Sequence, residues 1–370
     1  MRAIIACAGS GGHINPGIAI ANTIMKKEPD SEIIFVGTKD GMENDLVKKS
    51  GYKISHIRAG RFHRKITFNN IINVFNSVLG IFDAEKLIKT FKPDVVIGTG
   101  GYICVPMMKA AKSKKVPYCL HESNAFPGLS VKIASKGAGK VFLGFKDAES
   151  RLGSGINCVY TGTPAKFDMD HMMSLDKETC KKELGLDKNT IGDRKIIFVT
   201  GGSQGAKRFN EVIISMVKKY KPKDLYFVVA VGNDNYETAI QMLDEQDSKY
   251  IKIEKFVYEM DKMYKAADLL ITRAGAMTIT ELGIVRRPAI LVPLPTAAEN
   301  HQFFNAKAME NAGAGIVLEE NILNETVLYD KIKDVIYDSN LLDSMGDNAA
   351  KLYKPNVETK IYEEIKNLLK

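Results

Sequence analysis

His13 closes the run Ala8-Gly9-Ser10-Gly11-Gly12-His13, and an imidazole at the end of a glycine turn is a candidate general base near neutral pH. Glu122, in His121-Glu122-Ser123-Asn124 at the end of an apolar run, is the rival base. A second glycine turn, Gly201-Gly202-Ser203-Gln204-Gly205-Ala206, sets the Ser203 hydroxyl beside the Gln204 amide at a helix start, a combination suited to phosphate. Glycine lets backbone approach a ligand closely, and free amides at a helix start favour negative charge. Glu281 stands several residues into a helix opened by Gly275 and Ala276, where one carboxylate can take two ribose hydroxyls. These residues point to two phosphorylated ligands, one per half of the chain.

Several other chemistries fail on detail. Gly9-Ser10-Gly11 lacks the third glycine of a dinucleotide fingerprint, and no strand-terminal acid follows at the spacing that holds a ribose. Neither turn ends as a P-loop does. Asp168-Met169-Asp170-His171 imitates an acidic metal-holding motif but follows a connector containing Pro164 instead of a strand, so neither a metal nor a cofactor is expected. The five cysteines are odd in number and widely spaced, without a C-x-x-C pair, which points to a reducing compartment. Residues 3–8 are too short for a signal-peptide core, and no stretch approaches the roughly 20 apolar residues of a membrane span. A cytoplasmic location is expected, with contact at a membrane surface left open.

The elements that must carry these residues alternate. Apolar strand-like runs at residues 3–6, 33–37, 95–99, 118–121, 140–143 and 157–161 are separated by helical patterns, and the rhythm restarts at 196–200, 225–231, 251–256, 269–272 and 289–292. A chain of 370 residues exceeds the roughly 250 at which single cores stop growing, so two doubly wound parallel-sheet α/β domains facing a cleft are expected. The first spans residues 1–163, with a C-terminal helical segment, 346–370, packing back on it; the second spans 164–345. In such sheets ligands bind beyond the carboxyl ends of the strands, where His13, Tyr102, Glu122, Ser203 and Glu281 all fall.

The net charge of +8 is largely scattered lysine, but one cluster is pointed. Arg58, Arg61, Arg64 and Lys65 stand directly before a helical stretch carrying Ile71, Phe75, Val78 and Phe82. Basic residues beside exposed apolar ones suit a monotopic contact with an anionic lipid surface. An ordinary buried stripe is the competing reading, since the spacing also suits a core-facing helix. No nucleic-acid module accompanies the charge.

Ala8-Gly9-Ser10-Gly11-Gly12-His13-Ile14-Asn15-Pro16-Gly17, Gly100-Gly101-Tyr102, His121 to Asn124, Gly201 to Ala206, Arg273 to Glu281 and His301-Gln302-Phe303-Phe304-Asn305-Ala306 together resemble, in order, the motifs of the MurG-type N-acetylglucosaminyltransferases. The resemblance implies the two-domain GT-B architecture and metal-independent, inverting transfer of N-acetylglucosamine from UDP-N-acetylglucosamine to an undecaprenyl-pyrophosphoryl-muramoyl pentapeptide at the cytoplasmic face of the membrane. It implies that Gly11, Gly12, Tyr102 and Asn124 hold the acceptor. It also implies donor contacts from Ser10, Asn124, Lys166, Ser203, Gln204, Val257, Ala276, Met277, Thr278, Glu281, His301 and Gln302. Two positions depart from the pattern: His301 stands where glutamine is common, and Lys166 where arginine is common, which keeps charge without the bidentate fork. A glycolipid synthase using diacylglycerol, a hydrolysing UDP-sugar epimerase and a noncatalytic sugar-nucleotide-binding scaffold are the alternatives. Joint presence of His13, Glu122 and Glu281 weighs against the scaffold, because binding alone needs no base.

Overall fold

The computed structural model of the chain describes residues 1–60, 68–165, 167, 169–202 and 206–370, with only the backbone of 68–72 and 74. The chain divides into two compact units, Met1–Lys166 with Lys354–Lys370, and Phe167–Tyr353.

In unit 1, the strands β1 (Arg2–Cys7), β2 (Glu32–Gly37), β3 (Lys53–His56), β4 (Val95–Gly100), β5 (Tyr118–Glu122), β6 (Lys140–Leu143) and β7 (Cys158–Tyr160) form one parallel sheet in the order β3-β2-β1-β4-β5-β6-β7. Alternate residues of β1 serve opposite faces, as strand geometry requires. Ala3, Ile5 and Cys7 pack with Ile20 and Ile24 of the helix Gly11–Lys27, while Ile4 and Ala6 pack with Met107 and Ala111 of the helix Cys104–Ser113. Burial on both faces explains the near-continuous apolar strands.

Unit 2 repeats the plan with β8 (Lys195–Thr200), β9 (Leu225–Ala230), β10 (Ile251–Glu254), β11 (Leu269–Thr272), β12 (Ala289–Leu291) and β13 (Gly315–Val317), parallel and ordered β10-β9-β8-β11-β12-β13. In each sheet the strand order reverses once, between β1 and β4 and between β8 and β11. That reversal opens the crevice where doubly wound folds take ligands.

The edge strands β3 and β13 were not expected from sequence. β3 has four residues and β13 three, too few to display a strand period, so neither stands out from a loop. The C-terminal segment also differs from expectation. The helix Val357–Leu368 buries Val357, Ile361 and Ile365 in unit 1, but the helix Ser339–Leu352 belongs to unit 2, so residues 346–353 do not pack back on the first domain. The reason is close helix packing: a Cβ on Gly346 would lie 2.6 Å from the Arg286 carbonyl oxygen, and one on Gly283 would lie 3.0 Å from that of Ala349. Residues 164 and 165 likewise fall in unit 1 and not in the second domain. Among the described residues no helix is long and apolar enough to cross a membrane.

Candidate active site

Two turns of unit 1 meet at the reversal between β1 and β4. After β1, Gly9 takes a φ of +95°, and Ser10 opens the helix Gly11–Lys27 without a side-chain cap. Gly11 and Gly12 thus lie in the first helical turn, where backbone N–H groups have no carbonyl one turn earlier to receive them. After β4, Gly100 and Gly101 take φ values of +115° and +86°. A Cβ on Gly100 would overlap the His13 imidazole, and one on Gly101 would overlap the Ala8 carbonyl oxygen, so this glycine pair lets the second turn close against the first. Thr99 Oγ1 donates to the His13 carbonyl at 2.7 Å, tying the helix start to β4.

His13 Nδ1 lies 3.0 Å from the Ala8 carbonyl oxygen, which can only accept, so Nδ1 carries the hydrogen and Nε2 keeps its lone pair. Burial lowers the pKa of this imidazole from the usual histidine value, against the opposing pull of the Ala8 bond. The ring is therefore neutral near pH 7, the state a base requires.

Glu122 has a different setting. It is buried, its Oε1 accepts from the Asn124 backbone N–H at 2.9 Å and from Asn124 Nδ2 at 3.0 Å, and its Oε2 accepts from Gly128 N–H at 2.9 Å. These bonds shape the loop after β5 and engage the Asn124 amide. Beside it, His121 is fully buried, donates from Nε2 to the Gly162 carbonyl at 3.1 Å, and is held down to about 4 by burial. Tyr102 stands over Gly9, with its Cε1 3.7 Å from where a Gly9 Cβ would be, and its hydroxyl is 3.3 Å from Thr38 Oγ1.

Sequence reasoning missed Glu43. This carboxylate is fully buried behind the glycine turn, with Oε2 accepting from Gly9 N–H at 3.3 Å and Oε1 from the Thr38 N–H and hydroxyl, each at 2.9 Å. The available signal was Gly37 and Gly41 flanking it, since a Cβ on either would collide with its side chain.

Of the expected lipid-facing residues, Phe75 and Phe82 are 62% and 63% exposed, and Val78 is also exposed, so these three are not the buried stripe that their spacing equally allowed. Arg61, Arg64 and Lys65 lie outside the described residues, as does the side chain of Ile71.

In unit 2, Ser203 and Gln204 lie outside the described residues, and so does Lys166 of unit 1. The turn after β11 is fully described. Gly275 precedes the helix Ala276–Val285, whose first turn holds no acid and receives no side-chain cap. Ala276 is nearly buried, while Met277 and Thr278 are partly exposed beside it. Glu281, one turn on, accepts at Oε2 from the buried Tyr264 hydroxyl at 3.1 Å. Under this turn the Arg273 guanidinium is buried 5.1 Å from the Phe209 ring centre and bonds the Val292 carbonyl at 3.2 Å and Glu320 Oε2 at 2.5 Å.

His301 and Gln302 open the helix His301–Asn311, reached through Glu299 and Asn300, which both take left-handed φ values of 52° and 53°. His301 Nδ1 donates to the Ala298 carbonyl at 2.7 Å, and Gln302 Oε1 accepts from Leu294 N–H at 3.0 Å. Asn305 donates to the Ala274 carbonyl at 3.1 Å, joining this helix to the turn after β11. Val257 follows β10 and lines a 190 Å³ cavity with Leu186, Val228, Phe256 and Met263. His171 is paired with Asp261 at 2.7 Å, and among the described residues no three His, Cys, Asp or Glu side chains cluster as metal ligands.

The glycosyltransferase family 28 N-terminal domain matches residues 3–143, and the family's C-terminal domain matches residues 196–361. A relative from Acetivibrio thermocellus, named UDP-N-acetylglucosamine--N-acetylmuramyl-(pentapeptide) pyrophosphoryl-undecaprenol N-acetylglucosamine transferase, is 39% identical over 100% of this chain and 99% of its own. The chain belongs to the MurG-type glycosyltransferases of family 28. A relative of the same name from Ruminiclostridium cellulolyticum is 37% identical, with complete coverage of both chains. The crystal structure of Acinetobacter baumannii MurG is similar at a TM-score of 0.79 and 27% identity, covering 99% of each chain. Family membership makes the chain a UDP-sugar glycosyltransferase, and its two doubly wound units are those of the GT-B class.

Proposed function

We propose that the chain transfers N-acetylglucosamine from UDP-N-acetylglucosamine to the 4-hydroxyl of the N-acetylmuramoyl unit of undecaprenyl-pyrophosphoryl-muramoyl pentapeptide, with inversion at the anomeric carbon. The names of its relatives supply the substrates. The observation that carries the chemistry is His13, neutral and hydrogen-bonded at Nδ1, with its lone pair at Nε2. In one displacement the acceptor oxygen bonds the anomeric carbon, its proton passes to Nε2, and UDP departs with the electrons of the broken bond. Glu122 shapes the loop that carries Asn124 and is the weaker candidate base, because both its oxygens already accept from loop N–H groups.

Unit 1 takes the acceptor in this reading. The N–H groups of Gly11 and Gly12 face its pyrophosphate, and Tyr102 and Asn124 bound the sugar. Unit 2 takes the donor. Ser203 and Gln204 serve its phosphates, together with the helix start at Ala276, Met277 and Thr278, where negative charge grows as the bond breaks. Glu281, steadied by Tyr264, receives the ribose hydroxyls; Val257 meets the uracil; His301 and Gln302 read the sugar. The exposed Phe75 and Phe82, with Arg61, Arg64, Lys65 and Ile71, rest on anionic lipid at the cytoplasmic face, as a peripheral contact.

The test is transfer of labelled sugar to a soluble-chain analogue of the pentapeptide acceptor, with diacylglycerol and water as competitors. A β-1,4-linked disaccharide is the expected product. A glycolipid or free sugar would move the acceptor to one of the alternative classes.

A further inference from the structure

Ala8 and Gly9 share one planar peptide unit, and both of its polar atoms are committed to side chains. On one edge the Gly9 N–H donates to Glu43 Oε2 at 3.3 Å; on the other the Ala8 carbonyl accepts from His13 Nδ1 at 3.0 Å. We propose that Glu43 is a positioning residue that acts on His13 through this peptide, holding the imidazole in the tautomer that leaves Nε2 basic and steadying the imidazolium formed when a proton arrives. The proposal rests on the reading of His13 as the base.

The surroundings favour this role over plain packing. A buried carboxylate is costly unless it is satisfied, and among the described residues no cation pairs with Glu43; its described donors are the N–H groups of Gly9 and Thr38 and the Thr38 hydroxyl. Gly37 and Gly41 leave it a socket, and Gly101 leaves space for the Ala8 carbonyl on the other side of the peptide. An N–H that donates to an anion polarises its peptide, and the opposite carbonyl becomes a stronger acceptor. A carboxylate bonded directly to a histidine fixes its tautomer and raises its basicity; here one peptide stands between the two. Of the other ionisable groups near the turn, Cys7 on β1 feels the charge of Glu43 and of Cys104, Cys104 feels that of Glu122 at the end of β5, and Tyr102 reaches Thr38. Among the described residues, none of Cys7, Cys104, Glu122 and Tyr102 hydrogen-bonds the Ala8–Gly9 peptide or the His13 ring.

Glu43→Gln keeps the shape and an acceptor oxygen while removing the charge. The expected result is a fall in kcat of about 10–100-fold with the KM for UDP-N-acetylglucosamine little changed. The His13 titration, followed by NMR on the free full-length protein, moves to lower pH, and the low-pH limb of kcat moves with it. A structural role alone would lower the melting temperature and leave that titration in place. A folded Glu43→Gln protein whose His13 titrates as in the wild type overturns the proposal. Should this variant not fold, Glu43→Asp keeps the charge but shortens its reach to Gly9, and an unmoved His13 midpoint there overturns it equally. Should neither fold, the wild type decides, because the Gly9 amide resonance must report the His13 midpoint; an amide blind to it ends the proposal. These titrations need no turnover, so a wild type without sugar transfer would defeat the functional reading and leave the coupling to be judged separately.

Discussion

The turn after β1 and the turn after β11 each flank the strand-order reversal of their own sheet, yet they are built from opposite charges. Under the first lies an anion, Glu43, reaching through a peptide to a neutral imidazole; under the second lies a permanent cation, Arg273, paired with Glu320 below an uncapped helix start. An imidazole with a free lone pair can take a proton, whereas guanidinium and helix-start amides stabilise negative charge without exchanging one. Topology put both turns in position, and the charge buried behind each decides what it can do.

The sharpest way to break this comparison is His13→Ala. Loss of a general base lowers kcat by about 10²–10⁴-fold, while calorimetric binding of UDP-N-acetylglucosamine is retained. Near-normal turnover would remove His13 as the base and leave Glu122 as the candidate. Because the folded His13 pKa lies below its usual value, the low-pH limb of kcat/KM falls below pH 6.5, and a limb at or above that value contradicts the assignment. The same shift makes stability decline as pH falls below about 6.5, since the unfolded chain takes up the proton first.

Arg273→Met tests the other side. It leaves the Glu320 carboxylate without its cation at a poorly exposed site, which costs about 3–5 kcal/mol by chemical denaturation. Adding Glu320→Leu should recover part of that loss, whereas additive losses would show that the two side chains act independently.

Glycine substitutions sharpen the contrast. Gly100→Ala strains a φ of +115° and drives a methyl into His13, so it should cost about 1–3 kcal/mol and much of the activity. Gly202→Ala has its φ of +80° to overcome, with nothing among the described residues within 4 Å of the new methyl, and should cost about 1 kcal/mol. Equal losses of activity would mean that the His13 contact is incidental.

Tyr264→Phe removes one bond to Glu281 and should weaken donor binding by about 0.5–1.5 kcal/mol, read as a raised KM with kcat unchanged. The smallest effect belongs to the helix Val357–Leu368 on unit 1. Lys366 and Tyr362 hold the Glu28 carboxylate down to about 2, so its contribution is complete above the unfolded value near 4.5 and is lost as pH falls toward 2. Hydrogen-exchange protection in this helix, referred to the intrinsic amide rate at each pH, should fall over that window in the wild type and change less in Glu28→Gln.

Strands with both faces buried were legible because their apolar runs are local and continuous; β3 and β13 were not, because a short edge strand has little pattern to display. The glycine turns, His13 and Glu281 were legible because residue type and spacing are local facts. The engagement of Glu122 and Gln302 by neighbouring backbone, and of the Asn124 amide by Glu122, was harder to read, since an exposed ligand contact and a satisfied loop bond use the same side chains.

The sequence by itself determined two doubly wound halves, glycines following a strand in each of them, and an imidazole within reach of the first glycine turn. Only the tertiary structure decided that Gly100 makes room for a histidine 87 positions earlier, that Glu43 stands behind Gly9, that Glu320 answers Arg273, and that the chain returns to unit 1 at Lys354 and not at residue 346. The reason is physical. Helix, strand and turn preferences act over a few neighbouring residues, whereas a tautomer, a buried ion pair or a close helix crossing depends on groups far apart in the chain that meet only when the sheets have formed.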